Sequence, residues 1–317
     1  MTTQQINNTT LRQAENRVSL TGVLLEKEIR ESKPNAAKPF KTARLTIATG
    51  DTEQHQIEMF AMKYKNDGTE NGMYKGIETI ENDFKSVAEV GEENADKVTT
   101  NAGRIQLNDY VGGDGQLKSF PQLSTPFINR VETSETYEPE ATFSVECVVD
   151  RVVSEMDKEG NETGRVKLFT FIPLYGGQVI PFEFLVHKDG SPYVEDNYTK
   201  GDTVSVHGQI INKKLTVESE KEMGFGQPQK VIKYETTREY LVLGGTPVYE
   251  EDSTNTYNTD AIRQALTERE VYLEGLKKKK QDSVNNKPTG GFDVGSKPKA
   301  ANPFGESDVG TEMELPF

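Results

Sequence analysis

Two positive charges and then two flat rings occupy every second position of one predicted strand in the second half of the sequence. Side chains of a strand point to opposite faces in turn, so Arg165, Lys167, Phe169 and Phe171 share one face. Phosphates pair with such cations, and unpaired bases stack on flat rings at ~1–3 kcal/mol each. This face therefore favours contact with a single nucleic-acid strand. Phenylalanine at alternating positions is also typical of a packed core, and the pattern alone leaves both interpretations open.

A similar pattern occurs in the first half, where Phe40, Arg44 and Phe60 lie opposite the apolar residues of two predicted strands. Lysines and arginines near these strands are compatible with a phosphate backbone, although each is nonspecific by itself. The candidate contacts to a single strand of DNA are Phe40, Arg44, Phe60, Lys63, Tyr64, Arg104, Lys118, Arg165, Lys167, Phe169, Phe171, Lys213 and Lys214.

The extreme C-terminus is a second candidate site. Leu315, Pro316 and Phe317 end a polar tail where they have no core to join, so they are available to a partner protein. A shallow apolar pocket with a basic rim fits the Phe317 ring, its free carboxylate and the acidic Glu312 and Glu314. The alternative is an ordinary frayed terminus.

We expect no enzyme and no cofactor or metal. His55, His187 and His207 lie in different predicted strands without the spacing of metal ligands, and no nucleophile elbow, Walker loop or paired-cysteine site occurs. Lone histidines in strands are usually structural.

The composition narrows the remaining classes of protein. The 317 residues carry a formal net charge of -14, so any nucleic-acid surface has to be a local basic patch. Their mean hydropathy of -0.68 predicts that part of the chain is unpacked. The single cysteine, Cys147, fits a reducing compartment such as the cytoplasm. No signal peptide or membrane-length apolar run occurs, so we expect no membrane contact.

Alternating apolar residues predict five strands in residues 16–135, with a bend or bulge at Gly22 in the first. A polar connection at 66–101, with a short helix near 79–90, separates the third and fourth strands. The same order recurs in residues 140–248, with a short connection at 191–199. Five strands with this crossover are the pattern of the OB barrel. An all-β sandwich split over two domains is the alternative.

The predicted fold class is therefore all-β, with two tandem five-stranded OB barrels followed by a helix and a disordered acidic tail. Residues 1–15 are a flexible arm, because they are polar and without period. A helix at 257–281 begins near the capping pair Thr259-Asp260. Residues 282–317 have the composition of a linker and end in the docking tip.

Three segments, in the same order along the chain, resemble bacterial-type single-stranded DNA-binding proteins. The first is similar to the opening of their first strand, the second to the Lys-Gly-Asp sequence before their fourth strand, and the third to their acidic C-terminal tip. In this sequence they are Asn16-Arg17-Val18-Ser19-Leu20-Thr21-Gly22, Lys200-Gly201-Asp202 with the following residues to Gly208, and Glu314-Leu315-Pro316-Phe317.

The resemblance implies OB folds that bind single-stranded DNA without sequence preference in replication, recombination and repair. It also implies a tip that recruits proteins of these processes. This chain has no tryptophan, so Phe and Tyr would have to stack, and it has two OB-like units instead of one. The divergence is similar to that of a phage-encoded relative in its host cytoplasm.

Some choices stay open at the level of sequence. The chain is compatible with a monomer or a homodimer. Two alternative functions predict no affinity for single-stranded DNA: a β-rich structural or phage-assembly scaffold protein, and an OB accessory factor that binds only protein.

Overall fold

The computed structural model describes residues 11–132, 137–221, 225, 229–250 and 254–285. Within these ranges the strands form one continuous sheet of twelve strands that closes on itself in two rings. Most of the predicted arm at 1–15 and almost all of the predicted tail at 282–317, including its tip, lie outside the described residues.

Barrel 1 is the first ring. Its elements are β1 (Asn16–Glu31), β2 (Phe40–Ala48), β3 (Gln54–Met62), α1 (Gly72–Asp83), α2 (Val87–Val90), β4 (Lys97–Asn101), β5 (Arg104–Val111), β6 (Leu117–Ser124) and β7 (Phe127–Arg130). β1, β2 and β3 form an antiparallel meander, β3 pairs in parallel with β6, and β6 pairs with β5. The ring closes from the start of β5 back to β1 through a 2.8 Å bond from the Val18 amide to the Gly103 carbonyl, and β4 pairs with β1 and β7 beside it. This is the connectivity of an OB fold.

Barrel 2 repeats this connectivity. Its elements are β8 (Glu140–Met156), β9 (Glu162–Pro173), β10 (Val179–Val186), α3 (Ser191–Asn197), β11 (Thr203–Lys221) and β12 (Gln229–Gly245). β8, β9 and β10 form the meander, β10 pairs in parallel with β12, and β11 joins β12 to β8. The all-β, OB-type fold class predicted from strand order is confirmed. The domain limits at 16–135 and 140–248 stay predictions.

The connection between β3 and β5 contains more structure than the sequence indicates. The helix predicted near 79–90 is two helices, and α1 begins at Gly72, where the Asn71 side chain accepts a 3.0 Å bond from the Met73 amide. The last part of the predicted connection is a strand, β4, in which only Val98 is fully buried. A strand with one buried residue gives no apolar alternation, which explains why the prediction missed it.

Gly22 has a different role from the one predicted. The bulge in β1 lies at Leu25, because the register with β2 shifts between Leu24 and Glu26. At Gly22 the strands approach closely, and a Cβ there would lie 2.1 Å from the Ala48 carbonyl oxygen. A side chain at this position would force the β1–β2 crossing apart.

The interior of both barrels consists of the inward residues of these strands. Leu20, Leu45 and Ile57 are fully buried in barrel 1. In barrel 2 the Phe143 and Phe184 rings stack with centroids 5.2 Å apart. Each such side chain contributes ~1.5–3 kcal/mol through burial, so the cores are the main source of stability.

Backbone hydrogen bonds join the two barrels at two places among the described residues. β1 pairs antiparallel with β8, from Asn16 opposite Val145 to Thr21 opposite Glu140. The long β11–β12 hairpin of barrel 2 also reaches the β2–β3 turn of barrel 1, where the Lys214 amide donates to the Thr52 carbonyl at 3.0 Å. The relative position of the barrels is therefore set by backbone hydrogen bonds.

The Lys200-Gly201-Asp202 segment is a turn that leads into β11. The Gly201 amide donates to the Val149 carbonyl at 2.8 Å. The Asp202 carboxylate accepts from the Thr199 amide at 2.6 Å and from its hydroxyl at 3.0 Å. Gly201 has a φ of +97°, which favours glycine. The motif that carries the family resemblance thus closes a turn in barrel 2.

The C-terminal helix α4 (Thr259–Asn285) extends beyond the predicted limits of 257–281 at its end. Ile262 and Ala265 are buried in the common core. One turn further on, the Arg269 guanidinium lies 2.7 Å from the Asp109 carboxylate of β5. The helix therefore contacts both barrels.

A buried carboxylate anchors the segment before β1. Glu146 of β8 accepts from the Arg12 guanidinium at 2.7 and 3.1 Å, from the Glu15 amide at 3.0 Å and from the Tyr257 hydroxyl at 3.1 Å. Burial alone would raise the pKa of Glu146, but these hydrogen bonds and the charge of Arg12 outweigh it and lower the pKa. The carboxylate stays ionised and links three segments.

His55 of β3 is buried beside the Thr49 hydroxyl, with its Nε2 atom 3.1 Å from Oγ1. Burial lowers the pKa of His55 to about 4, against a small opposing effect of the Glu53 charge. The imidazole is therefore neutral at pH 7. This supports the structural role that lone strand histidines usually have.

We expect acid to destabilise the protein through His55. The folded pKa of about 4 lies below the unfolded value of 6.5, so the unfolded chain binds the extra proton first. The contribution is fully present above pH 6.5 and falls by about 3 kcal/mol as the pH decreases to 4. Urea denaturation across this window measures it. The variant His55→Leu should show a flatter profile, and an unchanged profile in that variant would contradict the assignment.

Candidate nucleic-acid interface

The face predicted on β9 exists as an alternation of buried and partly exposed side chains. Val166, Leu168, Thr170 and Ile172 are buried in barrel 2. The other side carries the predicted residues, all of them partly exposed on the outer surface: Arg165, Lys167, Phe169 and Phe171. The two phenylalanines therefore lie on the opposite face from these buried residues, and Phe171 also packs against the hydrophobic core.

A cation that the sequence did not indicate lies over the Phe169 ring. Arg151 of β8 lies opposite Phe169 in the register, with its guanidinium carbon 3.9 Å from the ring centroid. Arg151 also contacts the buried Asp150 carboxylate at 2.8 Å. Simple alternation from the buried Cys147 and Val149 would place Arg151 inward. The register shift between Val149 and Arg151 turns its side chain outward beside Phe169, so the sequence held no signal for this contact.

Carboxylates from neighbouring strands hold the cations of this face. Arg165 lies 2.7 Å from Glu155 and 3.2 Å from Glu239, and Lys167 lies 3.3 Å from Glu183. Burial would raise the pKa of Glu155, but hydrogen bonds from Arg165 and Thr163 outweigh it and lower the pKa. The face therefore presents rings between charge pairs.

Barrel 1 has a corresponding face on β2 and β3. The Phe40 and Phe60 rings tilt against each other with centroids 5.6 Å apart, and Phe60 is 56% exposed. Arg44 lies between two carboxylates, 2.8 Å from Glu58 and 3.6 Å from Glu28. Three of the predicted residues therefore share one surface.

Lys63 and Tyr64 follow directly after β3. The Lys63 ammonium is 5.8 Å from the Tyr64 ring centroid and 5.9 Å from that of Tyr74 on α1. Tyr64 is 48% exposed. This end of the β2–β3 face thus has one cation between two rings.

The β5–β6 hairpin carries two further predicted residues. Arg104 starts β5 and is partly exposed, and Lys118 of β6 lies 3.4 Å from Asp114 in the glycine-rich tip. The hairpin also carries an exposed ring pair that the prediction did not include: Tyr110 and Phe120 stack with centroids 6.0 Å apart. Tyr110 and Phe120 both lie on the outward positions of the strands beside the tip, and this alternation could have indicated them in the sequence.

Lys213 and Lys214 lie on β11 where it reaches barrel 1. The Lys213 ammonium is 3.4 Å from the Glu53 carboxylate in the β2–β3 turn. The two lysines are therefore close to the junction of the barrels. The docking residues Glu312, Glu314, Leu315, Pro316 and Phe317 lie outside the described residues.

The described ranges do not meet the requirements of a metal site, a reactive cysteine or a membrane-spanning helix. No group of three or more His, Cys, Asp or Glu side chains there has the arrangement to hold a metal ion. Burial raises the pKa of the Cys147 thiol to about 12, so it is an inert core group. Among the described helices, none has the length and apolar character to span a membrane.

The fold and these surfaces define an OB-type protein with two barrels whose outer strand faces carry aromatic rings among charge pairs. A family model described as YorF matches residues 14–279, so the chain belongs to the YorF family. Among curated proteins, none matches the sequence.

Three solved structures match parts of the chain at low identity. The single-stranded DNA binding protein from Thermus aquaticus has a TM-score of 0.49 and 13% identity, over 77% of this chain and 97% of that chain. A deletion mutant of the same protein has a TM-score of 0.48 and 14% identity, over 76% and 98%. A replication protein A heterotrimer bound to ssDNA has a TM-score of 0.21 and 10% identity, over 79% and 70%.

Proposed function

We propose that this protein binds single-stranded DNA without sequence preference, using the outer faces of both barrels. On this proposal it acts in replication, recombination or repair. The observation that carries the proposal is the β8–β9 face, where Arg151 lies 3.9 Å from the Phe169 ring and Phe171, Arg165 and Lys167 are partly exposed beside it. Rings and cations on one open surface fit unpaired bases and their phosphates.

The β2–β3 face of barrel 1 supports the same role. Phe60 is more than half exposed although it packs against Phe40, so a flat apolar surface remains open to a base. A base that stacks on such a ring needs no particular hydrogen-bonding edge, which makes the contact tolerant of sequence. Duplex DNA keeps its bases paired and offers no such contact.

The test is fluorescence polarisation of a labelled oligo-dT and of a matching duplex in a salt series. We expect preference for the single strand and an affinity that decreases as salt increases, because phosphates release counterions when cations contact them. Equal affinity for both ligands, or no binding, would overturn the proposal. Absence of binding is what the scaffold and protein-binding alternatives predict.

The C-terminal tip is proposed as the docking site for a partner protein. Leu315, Pro316 and the Phe317 ring fit an apolar pocket, and Glu312 and Glu314 fit a basic rim around it. Such a peptide recruits a second protein to the DNA that the barrels hold. Removal of residues 312–317 should abolish capture of that partner and leave oligo-dT binding by the barrels in place.

A further inference from the structure

One outward cation on each barrel face is already engaged by a carboxylate. Lys167 is held by Glu183 at 3.3 Å, and Arg44 by Glu58 at 2.8 Å. The side chains of these two pairs are about one third exposed. They are therefore accessible to a ligand, unlike the more buried Glu155 beside Arg165, which is 14% exposed.

We propose that Glu58 and Glu183 are specificity-determining residues that occupy the phosphate positions of Arg44 and Lys167 until a DNA strand displaces them. This inference rests on the proposed function. A phosphate that takes either cation leaves a carboxylate without its partner close to the new anion, and that repulsion opposes binding. Base stacking on Phe60 and Phe169 offsets the loss for a single strand.

Duplex DNA lacks this compensation, because its bases stay stacked on one another. It would have to displace the same carboxylates with phosphate contacts alone. The two glutamates therefore weaken binding of every polyanion, and only the single strand has base stacking that offsets this penalty. A face with free cations would bind any nucleic acid through charge.

The pairs also affect the salt dependence of binding. A contact between a free cation and a phosphate of a single strand contributes about 0.7 to the slope of log K against log salt. When a carboxylate is displaced, it collects a solution cation in place of the one that the phosphate releases. The wild-type slope is therefore shallower than the number of phosphate contacts would give.

The experiment compares Glu58→Gln/Glu183→Gln with wild type on oligo-dT and on duplex across a salt series. We expect the affinity for oligo-dT to increase about 5- to 10-fold, the affinity for duplex to increase by at least the same factor, and the slope for oligo-dT to steepen by up to about 1.4 for two freed cations. Glu28 stays 3.6 Å from Arg44 and keeps part of its hold on that cation. The single variant Glu183→Gln should therefore have a larger effect than Glu58→Gln.

A matched control removes the same charge elsewhere. Glu270 and Glu274 are exposed on α4, and Glu270→Gln/Glu274→Gln also makes the net charge two units less negative. Less than twofold change in the control supports a local effect. If wild type binds oligo-dT and both double variants behave alike, the inference is wrong and the proposed function stands. If wild type binds no DNA, both are wrong. Thermal unfolding of each single variant verifies that the chain is folded.

Discussion

Combining Phe60→Ala with Phe169→Leu is expected to weaken oligo-dT binding about 10- to 100-fold. Each ring that stacks on a base contributes ~1–3 kcal/mol, and the lower part of this range applies to partly exposed rings. Phe60 is 56% exposed, so alanine there removes little packing. Phe169 is partly buried, and leucine keeps its apolar contact while the flat surface is lost. Fluorescence polarisation at a fixed salt concentration measures the change.

The control for this variant is Tyr272→Ala on α4. Tyr272 is also 56% exposed but lies outside both barrel faces. Its loss should leave the oligo-dT affinity within a factor of two. Equal affinity of the double variant and wild type would remove Phe60 and Phe169 from the interface.

The second large effect concerns stability. Arg12→Met should lower the free energy of unfolding by about 3–5 kcal/mol, because it leaves the buried Glu146 carboxylate without its cation. Glu146 has 8% of its side chain exposed, so water cannot replace the two bonds from Arg12. Urea denaturation with wild type and variant at pH 7 gives the difference. Adding Glu146→Gln to Arg12→Met should recover part of it.

The contribution of Glu146 to the pH dependence of the free energy of unfolding should change in this variant. In wild type the folded pKa of Glu146 is low, so its contribution is present above the unfolded pKa and is lost as the pH falls through the folded pKa. Without Arg12, burial raises the pKa of Glu146 against the remaining bonds from the Glu15 amide and the Tyr257 hydroxyl, so the pKa is higher than in wild type. The stability deficit of the variant relative to wild type should therefore shrink as the pH falls from 7 to 5, while the loss caused by His55 is common to both proteins.

Arg17→Met is the matched control for this prediction. Arg17 pairs with Glu15 at 3.0 Å, but both side chains are well exposed, so its loss should cost less than about 1 kcal/mol. Similar losses for Arg12→Met and Arg17→Met would show that Glu146 is not a critical buried charge.

The faces of the strands could be predicted from the sequence, because side chains alternate with a period of two. This placed Arg165, Lys167, Phe169 and Phe171 opposite the core residues of β9 and put Phe60 on the outside of β3. The OB connectivity could also be predicted, because each half has five predicted strands with a crossover between the third and the fourth. Turn glycines marked the ends of the hairpins.

The partners of these residues could not be predicted. Glu155 and Glu239 reach Arg165 from two different strands, 10 and 74 positions away in the sequence. Such contacts depend on register, and a shift of one residue would turn these side chains to the other face. The close crossing at Gly22 also needs a neighbouring strand to be seen.

The shared backbone ladder between β1 and β8 has a mechanical consequence. Two barrels on a flexible tether would search for DNA independently, and one could release while the other held on. Here Asn16 to Thr21 pair with β8, and the Lys214 amide bonds the far hairpin to barrel 1, so backbone hydrogen bonds connect the two halves directly. A polymer bound to both barrel faces has to match the distance between them, and coverage along the polymer would advance in steps of one whole molecule.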